Sequence, residues 1–469
     1  MNQKKQLLTN TIIIAIGKLS TQVISFLLLP LYTSKLTTGE YGTYDFLVTL
    51  SILLLPIITL MMEESMFRFL IDAEDEKTKK KIITATIVYS LFGTCIFTAI
   101  AAIVMSIIKY PYTLAFIMFI ISNVLIGLSN CLSRGTGKIK LYSVSNFILG
   151  LSTIILNIIF IVALKLGVNG LLWANIIANI LTALFIFKKL RLGKYISKKY
   201  ISRKTLQKMI SYSVPLVPNN LSWVIISISD RLMLTWIAGP ETNGIYAIAN
   251  KFPNIIYTFY GFFSTAWKES AAKIIKDDNK KAYYNSIYKD VKLFLKAIVL
   301  GLIAIMPFAF PIFINSSYKE AYIYIPILII SIYYTNMSNF YGGIFTAYKD
   351  TKIMGKTTVY AAIINIVINL LFIKKYGIYA ATFSTLISNW LVYVYRRIKL
   401  RDYIKLHERF DPKFWLLLAG VLVTYYINNV WINIIVLILV IIYCVYTNRT
   451  FISRTLANVK GKIASMKNN

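Results

Sequence analysis

Three charged residues lie inside two long apolar stretches near the middle of the chain. Asp230 and Arg231 are adjacent in the first stretch, and Lys251 lies in the second. A charge at membrane depth costs about 3 kcal/mol on insertion scales, so such a residue needs a partner or a water-filled cavity. A cation that faces a cavity at that depth is suited to binding an anionic group such as a phosphate.

The spacing of these charges suggests a partner for two of them. Asp230 and Lys251 are equally far from the turn Gly239-Pro-Glu-Thr-Asn-Gly244, so antiparallel helices on either side of it bring them to the same depth. The simplest interpretation is an ion pair that only holds two helices together. Arg231 is then expected to be an unmatched charge, which makes it a candidate for ligand binding.

Further polar residues occur at positions where they are able to complete such a site. Candidate substrate-binding residues are Lys18, Arg68, Asn220, Asp230, Arg231, Asn250 and Lys251, and candidate ion-coupling carboxylates are Asp45, Glu63, Glu64 and Asp230. Simpler alternatives remain open for some of them. Glu64 and Arg68 are one helical turn apart and predict an intrahelical ion pair, and Asp45 is compatible with a place at the outer membrane interface.

Composition establishes the class of protein that holds these residues. Of the 469 residues, 57% are apolar and only 15% are charged. Apolar runs of about 20 residues recur along the whole chain, which indicates an all-α polytopic membrane protein and leaves no soluble domain. The expected spans are 10–33, 43–66, 82–107, 112–133, 141–163, 169–187, 210–238, 243–266, 293–314, 322–347, 357–373, 378–395, 413–428 and 431–447.

The net charge of +32 is explained by membrane topology. Forty Lys and Arg residues fall on connections that share the side of the N-terminus, and six fall on the opposite side. This asymmetry follows the positive-inside rule and places both termini in the cytoplasm. Nucleic acid is not expected as a partner, because the basic side lies next to anionic lipid.

The sequence contains no pattern typical of a metal or nucleotide site. Its three cysteines, Cys95, Cys131 and Cys444, all fall inside expected spans and have no metal-ligand spacing. The single histidine, His407, lies in a basic loop. No phosphate-binding loop of the GxxxxGK[ST] type occurs, so no cofactor is expected.

An internal repeat predicts two lobes. Residues 19–44 match residues 221–246 at six positions, including Gly42 with Gly244 and Tyr44 with Tyr246, and later Asn157 corresponds to Asn369 and Asn179 to Asn389. Two six-helix lobes of equal orientation are then related by a pseudo-two-fold axis along the membrane normal, with a cavity between them. The expected division is an N-terminal lobe 1–187, a basic cytoplasmic linker 188–209, a C-terminal lobe 210–395, a cytoplasmic loop 396–412, helices 13 and 14 as a hairpin over 413–447, and a cytoplasmic tail 448–469.

Two prolines precede the charged stretch of the second lobe. Pro215 and Pro218 remove backbone donors near the start of the seventh span. A kink or local unwinding is expected there, and a hinge between linker and charged site follows from it.

These features together resemble the bacterial polysaccharide flippases of the multidrug, oligosaccharidyl-lipid and polysaccharide exporter superfamily. The resemblance covers essentially the whole chain. It is carried by the plan of six, six and two helices, Gly39-Glu-Tyr-Gly-Thr-Tyr44, Glu63-Glu64-x3-Arg68-Phe69, and Asp230-Arg231-x-Met with Gly244-Ile-Tyr246. It implies export of a polyprenyl-diphosphate-linked oligosaccharide across the cytoplasmic membrane by alternating access, for O-antigen, capsule or a similar polymer, with membrane lipids and a polysaccharide polymerase as partners.

The chemistry of such a substrate agrees with the composition. A diphosphate needs cations, sugars need amide and aromatic surfaces, and the 33 tyrosines offer the latter. Three alternatives remain: a drug or cation antiporter of the same superfamily, a flippase for lipid II or teichoic-acid precursors, and a membrane enzyme that uses lipid-linked sugars. The enzyme is disfavoured because every outer connection has seven residues or fewer.

Overall fold

The computed structural model describes residues 26–350, 352–407 and 411–467 of the chain. The described chain divides into two compact units, Met1–Gly244 and Ile245–Asn469. This boundary falls inside one helix, whereas the repeat suggested a division at the linker 188–209, and the lobe boundaries therefore stay a prediction.

The first unit consists of helices joined by short connections. They are α1 (Leu29–Lys35), α2 (Thr38–Thr59), α3 (Met62–Asp72), α4 (Glu76–Ile107), α5 (Thr113–Gly135), α6 (Ile139–Asn157), α7 (Gly167–Leu190), α8 (Arg203–Ser213) and α9 (Leu216–Ala238). A π-helical turn, Ile158–Ala163, extends α6. Expected span 10–33 lies mostly outside the described residues.

The second unit continues in the same way after the turn at Gly239. Its helices are α10 (Pro240–Lys273, which begins in the first unit), α11 (Lys280–Phe313), α12 (Ala321–Ala347), α13 (Lys352–Tyr376), α14 (Ile378–Leu400), α15 (Pro412–Ile427) and α16 (Val430–Lys467).

The helices coincide with the expected spans and confirm the all-α membrane fold. In the described residues, nine helices are long and apolar enough to cross a membrane. Four further expected spans coincide with helices that carry more polar residues or are shorter, namely α9, α10, α14 and α15. The more polar helices α9 and α10 carry Asp230, Arg231 and Lys251.

Helix α2 contains the main departure from the expected spans. It begins at a capping box, in which Thr37 caps the Glu40 N–H and the Glu40 carboxylate accepts from the Thr37 N–H at 2.9 Å. It ends at Leu60 and Met61, which both adopt left-handed backbone conformations with φ of 46° and 54°. Expected span 43–66 is therefore interrupted, because these two residues separate α2 from α3.

The break expected near the two prolines is present. Helix α8 ends at Ser213 and α9 begins at Leu216, with Pro215 as its N-cap residue. Pro218 lies in the first turn of α9, where a missing N–H costs little because the first N–H groups of a helix have no intrahelical acceptor.

Equivalent hydrogen bonds in the two units support the internal repeat. The Asn179 amide on α7 donates to Ser122 Oγ on α5 at 3.2 Å. The corresponding Asn389 amide on α14 donates to Ser331 Oγ on α12 at 2.9 Å. Repeat-related asparagines thus make the same contact between the same pair of helices in each unit.

Aromatic side chains form much of the interior of the second unit. Tyr284, Tyr288, Tyr318, Tyr341 and Tyr425 are among the largest fully buried side chains. Rings of Tyr288, Tyr341 and Tyr393 stack in sequence, with centroid separations of 6.2 and 5.7 Å. These tyrosines are packing residues, which removes them from the surface available for stacking on sugars.

Candidate functional site

The centre of the candidate site is an ion pair between α2 and α9. Arg231 Nη1 donates to Asp45 Oδ1 at 3.0 Å, and the two side chains are 22% and 8% exposed. The expectation that Arg231 is an unmatched charge is therefore wrong. Asp45 is buried against the helix that carries Arg231, and the alternative that places it at the outer membrane interface stays open.

Asn243 completes the shell around the Asp45 carboxylate. Its amide lies within 3.3 Å of Asp45 Oδ2 and donates to the Gly42 carbonyl at 3.0 Å. Asn243 is fully buried, and its Oδ1 has no hydrogen-bond partner in the described chain. The carboxylate thus receives a charged donor on one oxygen and a neutral donor on the other.

Two glycines allow the helices that hold these residues to touch. A Cβ at Gly42 would overlap the Pro240 carbonyl oxygen, and a Cβ at Gly244 would overlap the Thr38 carbonyl oxygen. Gly42 and Gly244 are equivalent in the internal repeat, so corresponding positions of the repeat pack against each other. We call this contact, with Asp45, Arg231 and Asn243, the glycine contact.

The remaining predicted cations and amides are not gathered at this contact. Lys18 lies outside the described residues. Arg68 pairs with Asp72 one turn further along α3, and both side chains are about half exposed or more. Asn250 donates to the Tyr246 carbonyl on its own helix at 3.0 Å, and Asn220 is partly buried on α9.

The predicted pair of Asp230 and Lys251 stays a prediction. Asp230 is 7% exposed on α9 in the first unit. Lys251 is partly buried on α10 in the second unit.

Glu63 and Glu64 begin α3 immediately after the left-handed break. Glu63 Oε2 is buried and has no hydrogen-bond partner among the described residues. In the same part of the chain, no group of three or more His, Cys, Asp or Glu side chains converges on a metal position. The role of Glu63 as an ion-coupling carboxylate stays a prediction.

Two buried cations of the second unit escaped the sequence analysis. Lys296 Nζ donates to Asp411 Oδ2 at 2.7 Å and lies 4.5 Å from the centre of the Phe414 ring. Partial burial by itself raises the pKa of the Asp411 carboxyl, but the hydrogen bond and charge of Lys296 hold that pKa below its ordinary value. Lys296 lies one turn from the end of an expected span, and nothing in the sequence indicates that Asp411 is its partner.

The sequence predicts Arg396 to lie in the cytoplasmic loop 396–412, but in the structure it lies within α14. It is 2% exposed on α14 and donates to Thr357 Oγ1 at 3.0 Å and to the Ser338 carbonyl at 3.1 Å. Its role is to join α12, α13 and α14, since the fork of the guanidinium reaches acceptors on two neighbouring helices.

The sequence matches two family models. The model of the polysaccharide biosynthesis protein family matches residues 7–267, and the MatE model matches residues 215–371. An uncharacterized membrane protein of Methanocaldococcus jannaschii is 24% identical over 305 residues, which cover 61% of this chain and 71% of that protein.

Solved structures show the same fold at low sequence identity. The inward closed conformation of the lipid II flippase MurJ aligns with a TM-score of 0.70 and 15% identity, over 94% of this chain and 100% of that chain. An inward-facing multidrug resistance MATE transporter aligns with a TM-score of 0.65 and 16% identity, over 83% and 98%. A transporter from Pyrococcus furiosus with reversed polarity of its binding pocket aligns with a TM-score of 0.55 and 15% identity, over 85% and 95%.

These likenesses agree with a multi-pass membrane transporter whose relatives have a two-lobe fold. The chain belongs to the polysaccharide biosynthesis protein family, within the multidrug, oligosaccharidyl-lipid and polysaccharide exporter superfamily.

Proposed function

We propose that this protein carries a polyprenyl-diphosphate-linked oligosaccharide across the bacterial cytoplasmic membrane, for the synthesis of a surface polysaccharide such as O-antigen or capsule. The observation that carries the proposal is the ion pair of Arg231 and Asp45 within the glycine contact. It places a partly exposed guanidinium inside a membrane helix, on a contact that must break if α2 and α9 are to separate.

The chemistry of the guanidinium suits a diphosphate. Arginine carries five N–H donors in a planar fork, and phosphate oxygens accept from it in pairs. Asp45 uses Nη1 of Arg231. A substrate diphosphate brings more negative charge than one carboxylate, so it competes with Asp45 for the same cation.

This competition links substrate binding to alternating access. Arg231 released from Asp45 no longer ties α9 to α2, and the break at Pro215 gives α9 a point at which to move. The turn between α9 and α10 belongs to the side opposite the basic connections, so loss of the glycine contact would open the outer side. The free energy of binding the head group thereby favours the conformation in which α2 and α9 are separated.

An ion gradient is the proposed source of direction. Asp45, Glu63, Glu64 and Asp230 are the candidate coupling carboxylates, and the buried Oε2 of Glu63 is best placed to gain a proton. Both termini are proposed to be cytoplasmic, and the partners are membrane lipids and a polysaccharide polymerase that consumes the exported unit.

The test is export by Arg231 variants. Arg231→Ala is expected to abolish surface polymer in a strain that lacks the native gene, at normal membrane abundance, whereas Arg231→Lys retains part of it because the charge remains without the bidentate fork. Arg203→Ala, in the exposed first turn of α8, is the matched control and should export normally. Full export by Arg231→Ala would reject an anionic substrate at this residue.

A double substitution separates substrate binding from a purely structural ion pair. Asp45→Asn with Arg231→Met removes both charges, so no unpaired charge is left buried. If Arg231 serves only to pair with Asp45, this double variant exports normally. We expect it to remain inactive, because the cation for the diphosphate is still missing.

A further inference from the structure

Helices α10 and α11 of the second unit contact each other near both ends. Towards one end, the rings of Phe252 and Phe310 lie with their centres 6.3 Å apart. Towards the other, Tyr284 Oη donates to the Ala271 carbonyl at 2.7 Å, and the Trp267 ring packs edge-on against Tyr284. Side-chain contacts thus close the space between the helices at its two ends.

A long groove lies between these contacts, and we call it the α10–α11 groove. Its volume is about 740 Å³. It extends along α11 from Ile287 to Ile305, which corresponds to about 27 Å of helix. Lining residues include Ile255, Phe259 and Phe263 on α10 and Phe294, Gly301 and Ile305 on α11.

The groove is suited to a hydrocarbon chain. Its lining is apolar except for Asp290 and the hydroxyl of Tyr260. Phe259 and Phe294, which both line the groove, are 53% and 47% exposed. A Cβ at Gly301 meets no atom within 4 Å, which shows that the groove is open at that point.

Charges distinguish the two ends of the groove. Asp290, the only charged lining residue in the described chain, lies towards the basic, cytoplasmic connection of α10 and α11. At the other end, Lys251 precedes Ile255 by one turn, and Lys251, Ile255, Phe259 and Phe263 follow each other at intervals of four residues on α10. The groove-lining residues of α10 therefore continue a row of side chains that begins with Lys251.

We propose that the α10–α11 groove holds the prenyl chain of the transported lipid while Lys251 binds its anionic head. This rests on the proposed function and adds a place for the tail. Lys251 lies 11 residues after Pro240, about 16 Å along the helix from the outer turn, which is near the middle of the membrane.

The position of the charges favours a transported lipid over an ordinary phospholipid. A phospholipid of the inner leaflet keeps its phosphate at the cytoplasmic surface, where the end of the groove presents the Asp290 carboxylate. Like charges repel at that end. An anionic head at the Lys251 end lies at mid-membrane depth, and only a lipid whose head group is being carried across has its phosphate there.

Gly301→Leu tests the groove with the purified full-length protein. Native mass spectrometry would measure binding of a polyprenyl phosphate and, separately, of phosphatidylglycerol. The leucine fills the open part of the groove, so the affinity for polyprenyl phosphate should fall about tenfold, the equivalent of two buried methylene groups. Affinity for phosphatidylglycerol should not change.

Gly261→Leu is the matched control. Gly261 is also helical on α10, a Cβ there meets no atom within 4 Å, and it does not line the groove. It should bind both lipids as the unmodified protein does. Gly301→Ala should lower the affinity for polyprenyl phosphate by a smaller factor, and it serves as a second variant if Gly301→Leu misfolds. Thermal melting of all variants measures their stability.

Each other result overturns the inference. Equal weakening of both lipids assigns the groove to membrane acyl chains, and no weakening by Gly301→Leu shows that the groove is not a site. If the unmodified protein does not bind polyprenyl phosphate, the prenyl assignment fails. Export that requires Arg231 while Gly301→Leu binds normally would reject the groove and leave the proposed function standing.

Discussion

At the residue scale, the glycine contact depends on the absence of two side chains. Gly42 and Gly244 let α2 approach the start of α10 so closely that backbone oxygens occupy the space of a Cβ. That approach brings Asn243 onto both Asp45 and the Gly42 carbonyl. The geometry of the Arg231 and Asp45 pair therefore depends on backbone packing as well as on charge.

Gly42→Ala should weaken this contact. The added methyl group must displace the Pro240 carbonyl, and overpacking of this kind typically costs 1–3 kcal/mol. We expect export of surface polymer to fall by about tenfold or more, with nearly normal protein in the membrane. Gly127→Ala on α5 is the control, because a Cβ there meets no atom within 4 Å. Equal export by both variants would show that the contact is not needed.

At the element scale, two helices are interrupted next to the proposed site. The break at Leu60 and Met61 separates α2 from α3, and the break at Pro215 separates α8 from α9. The first rests on two left-handed non-glycine residues and the second on proline, so the two have different causes. Breaks of this kind are positions at which hinge movement is able to occur in a conformational cycle.

Substitution of both prolines tests the second break. Pro215→Ala with Pro218→Ala restores two backbone donors and raises helix propensity by about 3 kcal/mol per residue in a helix interior. A continuous helix from α8 into α9 should then impair export without a large loss of protein from the membrane. Pro412→Ala at the first position of α15 is the control. Unchanged export by the double variant would make the break incidental to transport.

At the scale of the whole molecule, the uneven distribution of Lys and Arg predicts which end of each helix faces the cytoplasm. Basic residues gather in the connection between α7 and α8 and in that between α14 and α15. Under the positive-inside rule we expect these segments to face the cytoplasm together with both termini. With this expected orientation, Asp290 would lie at the cytoplasmic end of the α10–α11 groove and the turn at Gly239 on the outer side.

Reporter fusions or cysteine labelling test this orientation. Residues 188–209, 268–292 and 396–413 should be protected from an impermeant reagent in intact cells, as should both termini. A cysteine at position 319, between α11 and α12, should react and provides the positive control. External labelling of a cysteine at position 199 would contradict the arrangement of spans, and with it the direction assigned to the groove.

The sequence by itself determined the membrane class, the bounds of most helices, the break at Pro215 and the internal repeat. These features are local, because apolar run length, proline and glycine act on the chain within a few residues. Even the tight turn between α9 and α10 was visible, since Gly239 and Pro240 interrupt the apolar pattern.

Only the tertiary structure decided which charges are paired. Asp45 lies 186 residues from Arg231, and Lys296 lies 115 residues from Asp411, so no spacing rule relates them. The left-handed pair Leu60 and Met61 and the buried Arg396 also gave no local signal. The energy of a buried charge such as Arg396 depends on which acceptors the fold brings to it.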